Sequence, residues 1–306
     1  MRDRNRGATM AREQLRPAAR ETRAFSATQT AWAFAAAVRL GWKVSSNWTR
    51  PFLFLIYSVL RPISAALILV VMYAVITGGR GNTRAYLAFL VVGTAFWSFV
   101  QGGVSEFAVG ILEDRGRFKM LKYAYLAPQP FPLFLVGRAT AKLLSAATSV
   151  ALVLIVATVG LHLPIDVRSI DWALLVAACL FAFIAIMTFS IALAVILLAG
   201  RDAYGYGEIM AQVLYIFAGA IFPIGVLPAP LAWLASITPL PYWLELARRA
   251  ILHGRVYQMF PDLSDGEVLL RLAVATAGTV VLGWIVYKMA DRMARTRGYI
   301  DMETSY

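Results

Sequence analysis

The sequence predicts an all-α polytopic membrane protein with six transmembrane helices. Of its 306 residues, 60% are hydrophobic and only 15% are charged, whereas soluble domains are roughly 45–50% apolar and about 25% charged. The apolar residues also fall into six separate runs, each near the ~20 residues that a helix needs to cross a bilayer. Lys and Arg lie mainly between these runs. Together these observations indicate that lipid surrounds most of the chain.

The six apolar runs predict the transmembrane helices in chain order. The fifth run is the shortest, and more apolar sequence follows it at 227–252, interrupted by four prolines. Because proline removes a backbone donor and ends helices, we expect short outer re-entrant helices between spans five and six. The predicted spans are 52–77, 86–109, 131–160, 172–199, 209–226 and 268–290.

The positions of Lys and Arg predict the orientation. With the N-terminus in the cytoplasm, 21 of the 29 Lys and Arg residues lie in cytoplasmic segments and seven lie in outer ones. Cytoplasmic loops of membrane proteins carry such an excess. The sequence therefore predicts a multi-pass protein of the cell (inner or plasma) membrane with both termini in the cytoplasm. We expect Arg61, inside the first run, near the inner interface, because a mid-bilayer arginine costs roughly 2.5–3.5 kcal/mol.

Composition divides the chain into three regions. Residues 1–27 form a basic cytoplasmic arm, which we expect to be partly disordered because it has little apolar surface to bury. Residues 28–290 form the membrane domain, and residues 291–306 form a cytoplasmic tail. The domain begins with 28–48, a stretch too polar to span and too apolar to be a free loop. It predicts an amphipathic helix at the cytoplasmic surface, or alternatively a helical extension of the first span.

No residue pattern indicates catalysis or a metal site. His162, His253 and the single Cys179 lack the spacing of metal ligands. The chain has no Gly-rich loop that ends in Lys-Ser or Lys-Thr, so we expect it to bind no nucleotide or other cofactor and not to be an enzyme. The net charge of +12 flanks the apolar runs rather than covering one face, which argues against nucleic acid as a partner.

The cytoplasmic segment 106–130 interleaves charged and apolar residues. A short amphipathic helix in this segment would present an apolar ridge flanked by charge, which suits docking into a groove of a soluble partner. A plain anchor loop that follows the positive-inside rule is the alternative. The residues predicted to make the docking contact are Leu112, Glu113, Asp114, Arg115, Phe118 and Leu121.

The outer segment 219–254 ends in a cluster of charged residues. Glu245 and Arg249 are four residues apart, in the favourable order for a helical ion pair. We interpret this pair as structural rather than as a substrate contact. The residues assigned to the outer re-entrant structure are Pro223, Pro239, Tyr242, Glu245, Arg248 and Arg249.

Taken in order, these features resemble the permeases of ABC-2 type exporters. An amphipathic helix precedes span one, span two runs into the turn EDRG at 113–116, and the sequence GAIFP at 219–223 leads into the proline-rich outer segment. The resemblance covers roughly 28–290. One departure is that Gly116 is followed by RFK, where the family often has TLE, and this leaves the detailed docking contacts open.

The resemblance implies an assembly of two permeases and two ABC ATPase subunits. The ATPases would bind ATP and Mg in the cytoplasm, and a coupling helix within 111–127 would pass their movement to the spans. The second permease would be another copy of this chain or a related subunit. Substrate would pass between the two permeases, nearest spans two and five. Aromatic residues on these spans are candidates to line the path: Trp97, Phe99, Tyr215 and Phe217.

The predicted function is the export of an amphipathic or hydrophobic substrate, such as a drug, a lipid or a lipid-linked glycan, out of the cytoplasm or inner leaflet. An ion-gradient-driven secondary transporter is one alternative, but such proteins usually carry ionisable residues deep in their spans. Here Arg61 and Glu106 are the only charged residues that stand out in the spans. An integral-membrane lipid-modifying enzyme is the other alternative, and it would need His, Asp or Glu clustered at one depth.

Overall fold

The computed structural model of the chain is all-helical in the residues that it describes. The predicted basic arm lies outside these residues except for Ala27, as does the predicted tail beyond Arg297. The described residues are 27–46, 51–76, 78, 83–116, 119–127, 131–160, 162–163, 165–198, 205–253 and 258–297.

The helices are long where the sequence is continuously apolar and short where proline or glycine interrupts it. The elements are α1 (Ala27–Ser46), α2 (Pro51–Ile76), α3 (Thr83–Val100), a π-helical segment (Gln101–Glu106), α4 (Phe107–Gly116), α5 (Leu121–Leu126), α6 (Phe131–Gly160), α7 (Trp172–Leu198), α8 (Tyr206–Phe217), a 3₁₀ turn (Ile224–Val226), α9 (Ala229–Ile237), α10 (Leu240–Leu252) and α11 (Asp265–Arg297).

Four helices of the described part are long and apolar enough to cross a membrane, and they correspond to predicted spans two, three, four and six. The predicted first span lies in α2, of which the stretch Ile63–Ile76 is a shorter apolar helix. The four long apolar helices are Ala85–Gly116, Phe131–Gly160, Trp172–Leu198 and Asp265–Met289.

The predicted fifth span, 209–226, is wrong in its length. Helix α8 ends at Phe217, and its 12 residues rise only about 18 Å, less than the ~30 Å of a hydrocarbon core. The helix ends because Gly219 takes a left-handed conformation, with a φ of 68°. Pro223 then introduces the 3₁₀ turn. Apolar content alone does not reveal these two breaks.

Span two is one continuous helical rod that extends beyond the predicted 86–109 to Gly116. Part of the predicted cytoplasmic segment is therefore helical, as α4. The middle of the rod is π-helical, and the backbone N–H of Phe107 reaches the carbonyl of Gly102, five residues back. Single π-helical turns inside α-helices are rare and occur frequently at functional sites.

The centre of the fold lies where span two meets α10. Almost every residue of α3 and the π-helical segment from Ala88 onward is buried, and every residue of α10 is buried. The ring of Trp243 in α10 stands edge-on to Phe96 and Phe99, with centroids 5.8 and 5.9 Å apart. Edge-to-face contacts are a favoured arrangement of aromatic rings. Helices α2, α6, α7 and α8 pack around span two, and α11 packs along α7 and α10.

Helix α1 packs along α6 through small residues. An added Cβ at Gly41 would lie 2.7 Å from the Cβ of Ala141. An added Cβ at Gly137 would be similarly close to the Cβ of Ala37. The opposite face of α1 exposes Trp32, together with basic residues. The helix covers most of the predicted 28–48 and packs beside α6, and the residues that join it to α2 lie outside the described ranges.

Two neighbouring glycines of the π-helical segment differ in their surroundings. A Cβ at Gly103 would collide with Ile186 of α7 and lie 3.3 Å from the hydroxyl of Ser190. A Cβ at Gly102 would make an ordinary contact, 3.6 Å from the Cβ of Ala146. The absence of a Cβ at Gly103 therefore allows span two to pack closely against α7.

We predict that Gly103→Ala lowers the thermal unfolding midpoint of the purified protein by several degrees, because overpacking a core typically costs about 1–3 kcal/mol. Gly102→Ala is the matched control and should be neutral or slightly stabilising, since alanine is favoured over glycine in a helix. Thermal unfolding in detergent measures both. Equal midpoints for the two variants would contradict this account of the π-helical segment.

Candidate functional site

The C-terminal end of span two is tied to α6 by a buried ion pair. Arg138 Nη2 donates to Asp114 Oδ1 at 3.0 Å and to Oδ2 at 2.8 Å, and the two side chains are only 5% and 3% exposed. Removing one partner of such a pair is strongly destabilising because it leaves an uncompensated buried charge. Asp114, predicted on the docking surface, therefore binds inside the membrane domain, and its partner Arg138 was not among the predicted site residues.

The next residue, Arg115, ties the same end of span two to α7. Its Nη1 donates to the carbonyl of Leu198, the last residue of α7, at 2.8 Å. Basic side chains often bond the unpaired carbonyls at a helix C-terminus in this way. Glu113 is half-buried. Leu112 is only 2% exposed and belongs to the hydrophobic core, so in this conformation it cannot supply the predicted apolar docking contact.

The short helix α5 presents two large apolar side chains to the outside. The backbone N–H of Met120 donates to the carbonyl of Asp114 at 2.8 Å, which folds the chain back beneath α4. Tyr123 and Leu126 are 74% and 69% exposed, and residues three apart share a helix face. Sequence reasoning missed this pair, although its spacing was a visible signal. Leu121 begins α5, whereas Phe118 lies outside the described residues.

The structure brings together two of the four predicted path residues. The rings of Trp97 in α3 and Tyr215 in α8 are 4.6 Å apart between centroids. Phe99 instead lies in the core and packs against Phe183 of α7, at 5.5 Å between centroids. Phe217 is half-buried at the end of α8. The contact between spans two and five therefore runs along Trp97 and Tyr215.

A polar cluster joins α8 to the π-helical segment, and we call Gln101, Ser105, Glu208 and Gln212 the Glu208 cluster. Oε2 of Glu208 accepts hydrogen bonds from Gln101 Nε2 at 2.8 Å and from Ser105 Oγ at 2.6 Å. Its Oε1 accepts one from Gln212 Nε2 at 3.1 Å. The carboxylate is half-buried. Hydrogen bonds to an ionised acceptor are stronger than neutral ones.

Sequence reasoning missed the Glu208 cluster because it placed Glu208 just outside the fifth span. The expectation that Arg61 and Glu106 are the charged residues that stand out in the spans was incomplete, because Asp114 and Arg138 lie within two of the membrane-length helices. A signal for the Glu208 cluster was available, since each of its two helices carries two polar residues four apart in otherwise apolar sequence. Residues with that spacing share a helix face.

The predicted ion pair between Glu245 and Arg249 is present and extends into a larger network. Arg249 Nε donates to Glu245 Oε1 at 2.9 Å, and its Nη1 donates to Asp265 Oδ1 and to the Leu263 carbonyl, each at 2.8 Å. Burial alone would lower the pKa of Arg249, but the hydrogen bonds and charges of Asp265 and Glu245 outweigh it and raise that pKa. The network fastens α10 to the start of α11.

Arg248 fastens α10 to span two and to the end of α8. Its Nη2 donates to the carbonyls of Gly219 and Ala220 at 3.0 and 2.9 Å, and its Nε donates to the carbonyl of Phe89 at 3.3 Å. The guanidinium lies 3.5 Å above the centre of the Phe89 ring, a cation–π contact. The site has room for this side chain because Gly93 has no Cβ.

The remaining outer residues shape the turns around α9 and α10. Tyr242 donates its hydroxyl proton to the carbonyl of Ser236 at 2.7 Å, which joins the two helices. Its ring stacks on Phe260, with centroids 5.2 Å apart. Pro223 and Pro239 directly precede the 3₁₀ turn and α10. Among the residues that the structure describes, no group of three or more His, Cys, Asp or Glu could hold a metal ion.

Comparison with known proteins gives one family. Residues 34–252 match the family described as ABC-2 type transporter. The match runs from within α1 to the end of α10 and so includes span two, the Glu208 cluster and the pair Glu245–Arg249, whereas Leu263 and Asp265 lie beyond it. No curated protein matches the chain significantly.

We predict that Asp114→Asn lowers the thermal unfolding midpoint far more than Glu106→Gln. Asp114→Asn leaves the buried charge of Arg138 unpaired, at a cost of about 3–5 kcal/mol. The Glu106 carboxylate is exposed and lies 3.3 Å from Lys142 Nζ, and exposed ion pairs contribute only about 0–1 kcal/mol. Adding Arg138→Met to Asp114→Asn should recover part of the loss. Equal effects of the two single variants would contradict the assignment.

Proposed function

The chain belongs to the ABC-2 type transporter family, and we propose that it is the permease subunit of an ATP-driven exporter. It is a multi-pass membrane protein and the membrane component of an ABC transporter, and its family implies a partnership with an ATPase subunit. The proposed substrate is amphipathic or hydrophobic: a drug, a lipid or a lipid-linked glycan that leaves the cytoplasm or inner leaflet. ATP and Mg would be bound by the partner ATPase.

The observation that carries the proposal is the continuity of span two from the core to the proposed docking helix. The rod Ala85–Gly116 passes the buried aromatics of the core and ends four residues before α5, to which the bond from Met120 N–H to the Asp114 carbonyl ties it. Asp114 and Arg115 hold its last turn to α6 and α7. The exposed pair Tyr123 and Leu126 supplies the apolar ridge that a groove on a soluble partner would cover. A push on α5 would therefore reach span two directly.

An exposed stripe on α8 supports a second permease copy as partner. Tyr206, Ile209, Val213 and Ile216 recur every three or four residues and are all exposed. They therefore share one face of the helix. We propose that this face meets a second permease, most simply another copy of this chain, and that substrate passes between the two copies beside Trp97 and Tyr215.

The distribution of charge supports the proposed location. The 21-to-7 division of Lys and Arg favours both termini in the cytoplasm and export across the cell membrane. In this arrangement α9 and α10 lie at the outer surface as re-entrant helices. The family match favours this function over an ion-gradient-driven transporter or a lipid-modifying enzyme.

We predict that Tyr123→Ala combined with Leu126→Ala lowers co-purification of the co-expressed ABC ATPase without affecting membrane insertion. Truncating an interface anchor often costs about 2 kcal/mol or more, which is roughly thirtyfold in affinity. Phe118→Ala, on the sequence argument, should have a similar effect. Trp172→Ala removes an exposed aromatic at the other end of the membrane domain and should leave co-purification unchanged. If the Tyr123/Leu126 double variant and the Phe118 variant both bind the ATPase undiminished, segment 111–127 serves only as a charged anchor.

Reporter fusions test the proposed orientation. We expect fusions at Val167 and Asp262 to report the outside and fusions at Lys119 and Arg297 to report the cytoplasm. A cytoplasmic signal at Asp262 would contradict the charge argument and the outer location of α10.

A further inference from the structure

We propose that Glu208 is a positioning residue that links α8 to the π-helical segment of span two, so that the two move together when the ATPase moves the cytoplasmic end of span two. The proposal deepens the proposed function and rests on it. In this proposal the polar side chains of the Glu208 cluster transmit movement toward the substrate path.

The arrangement of donors makes Glu208 a clamp on the π-helical segment. Gln101 and Ser105 lie at or near its two ends, and both donate to the same carboxylate oxygen, at 2.8 and 2.6 Å. A change from π-helical to α-helical winding would alter the rotation between these two donors around the helix axis. The carboxylate therefore holds this segment in its present winding as well as holding it to α8.

The backbone supports the same link. An added Cβ at Gly207 would lie 3.0 Å from the Cβ of Ala108 and 3.4 Å from the carbonyl oxygen of Ser105. The start of α8 is therefore packed against the end of the π-helical segment and the start of α4. Gln212, one turn further along α8, donates to the other carboxylate oxygen at 3.1 Å. This bond orients Glu208 from its own helix and leaves Oε2 directed at span two.

Other polar contacts of span two join it to helices other than α8. Asp114 holds it to α6, and Arg115 holds it to α7. The Glu208 bonds join it to α8, which carries Tyr215 and the exposed stripe that we assign to the path. A partner shifts a conformational equilibrium only through contacts that differ between the two states. Without the Glu208 bonds, α8 should therefore no longer move with span two, whereas α4 should still move with the ATPase.

Hydrogen–deuterium exchange tests this on the full chain bound to its ABC ATPase in lipid nanodiscs, with and without ATP and vanadate. In the unaltered complex we expect exchange to change about threefold or more in both 107–116 and 206–217, because coupled elements open and close together. In Glu208→Leu the change in 107–116 should persist and the change in 206–217 should be lost. A structural defect alone would alter both segments in both nucleotide states.

Two further variants separate the possible causes. Gln212→Leu removes only the bond within α8 and should keep the nucleotide response of 206–217. Gln101→Leu combined with Ser105→Ala removes the two donors on span two and should likewise abolish the nucleotide response of 206–217. This double variant provides the test if Glu208→Leu does not assemble with the ATPase. A preserved response of 206–217 in an assembled variant that lacks the two donor bonds overturns the proposal.

The unaltered complex distinguishes failure of this inference from failure of the proposed function. A nucleotide response in 107–116 without one in 206–217 overturns the link through Glu208 and leaves the ATP-driven permease intact. Absence of a response in both segments counts against the proposed coupling itself, and the inference falls with it.

Discussion

The arrangement around α10 depends on the burial of Arg248. A buried guanidinium needs hydrogen-bond acceptors, because burying an unsatisfied polar group is costly. Its Nε and Nη2 have acceptors, whereas Nη1 has none among the described residues. Helix α8 supplies the acceptors of Nη2 by ending at Phe217, which leaves the carbonyls of Gly219 and Ala220 free of helical bonds and in reach of Nη2. This contact therefore binds α10 both to span two and to the turn that follows α8.

Polar contacts also fix the half of span two that ends at Gly116, and each joins a different pair of helices. The ion pair of Asp114 and Arg138 joins span two to α6, and the Glu208 cluster joins it to α8. Apolar surfaces can slide past one another in lipid, since lipid tails are as apolar as the helices. Directional hydrogen bonds between these helices therefore determine which helices move together, which their apolar composition does not.

The sequence was sufficient for the parts of the fold that continuous apolar runs determine. Spans 131–160 and 172–199 agree with α6 and α7 to within one residue, because nothing interrupts them. The run at 209–226 was misleading, because the end of α8 depends on a left-handed glycine and on a buried arginine distant in sequence. Leu112 was assigned to a docking face because the pattern of a ten-residue helix does not say which side faces the core. The polar spacing around Glu208 was visible in the sequence, but its meaning depends on which two helices pair, which one-dimensional periodicity does not give.

The continuous rod of span two has a mechanical consequence. Its 32 residues extend about 48 Å, and it packs tightly on α7 at Gly103, somewhat nearer its C-terminal end. Because Asp114 and Arg115 hold its last turn to α6 and α7, a tilt about this point would move the two ends of the rod in opposite directions and carry the ends of those helices along. A tilt of about 5° would displace one end by roughly 4 Å relative to the other. A closing movement at one end of the rod and an opening movement at the other would then be a single motion.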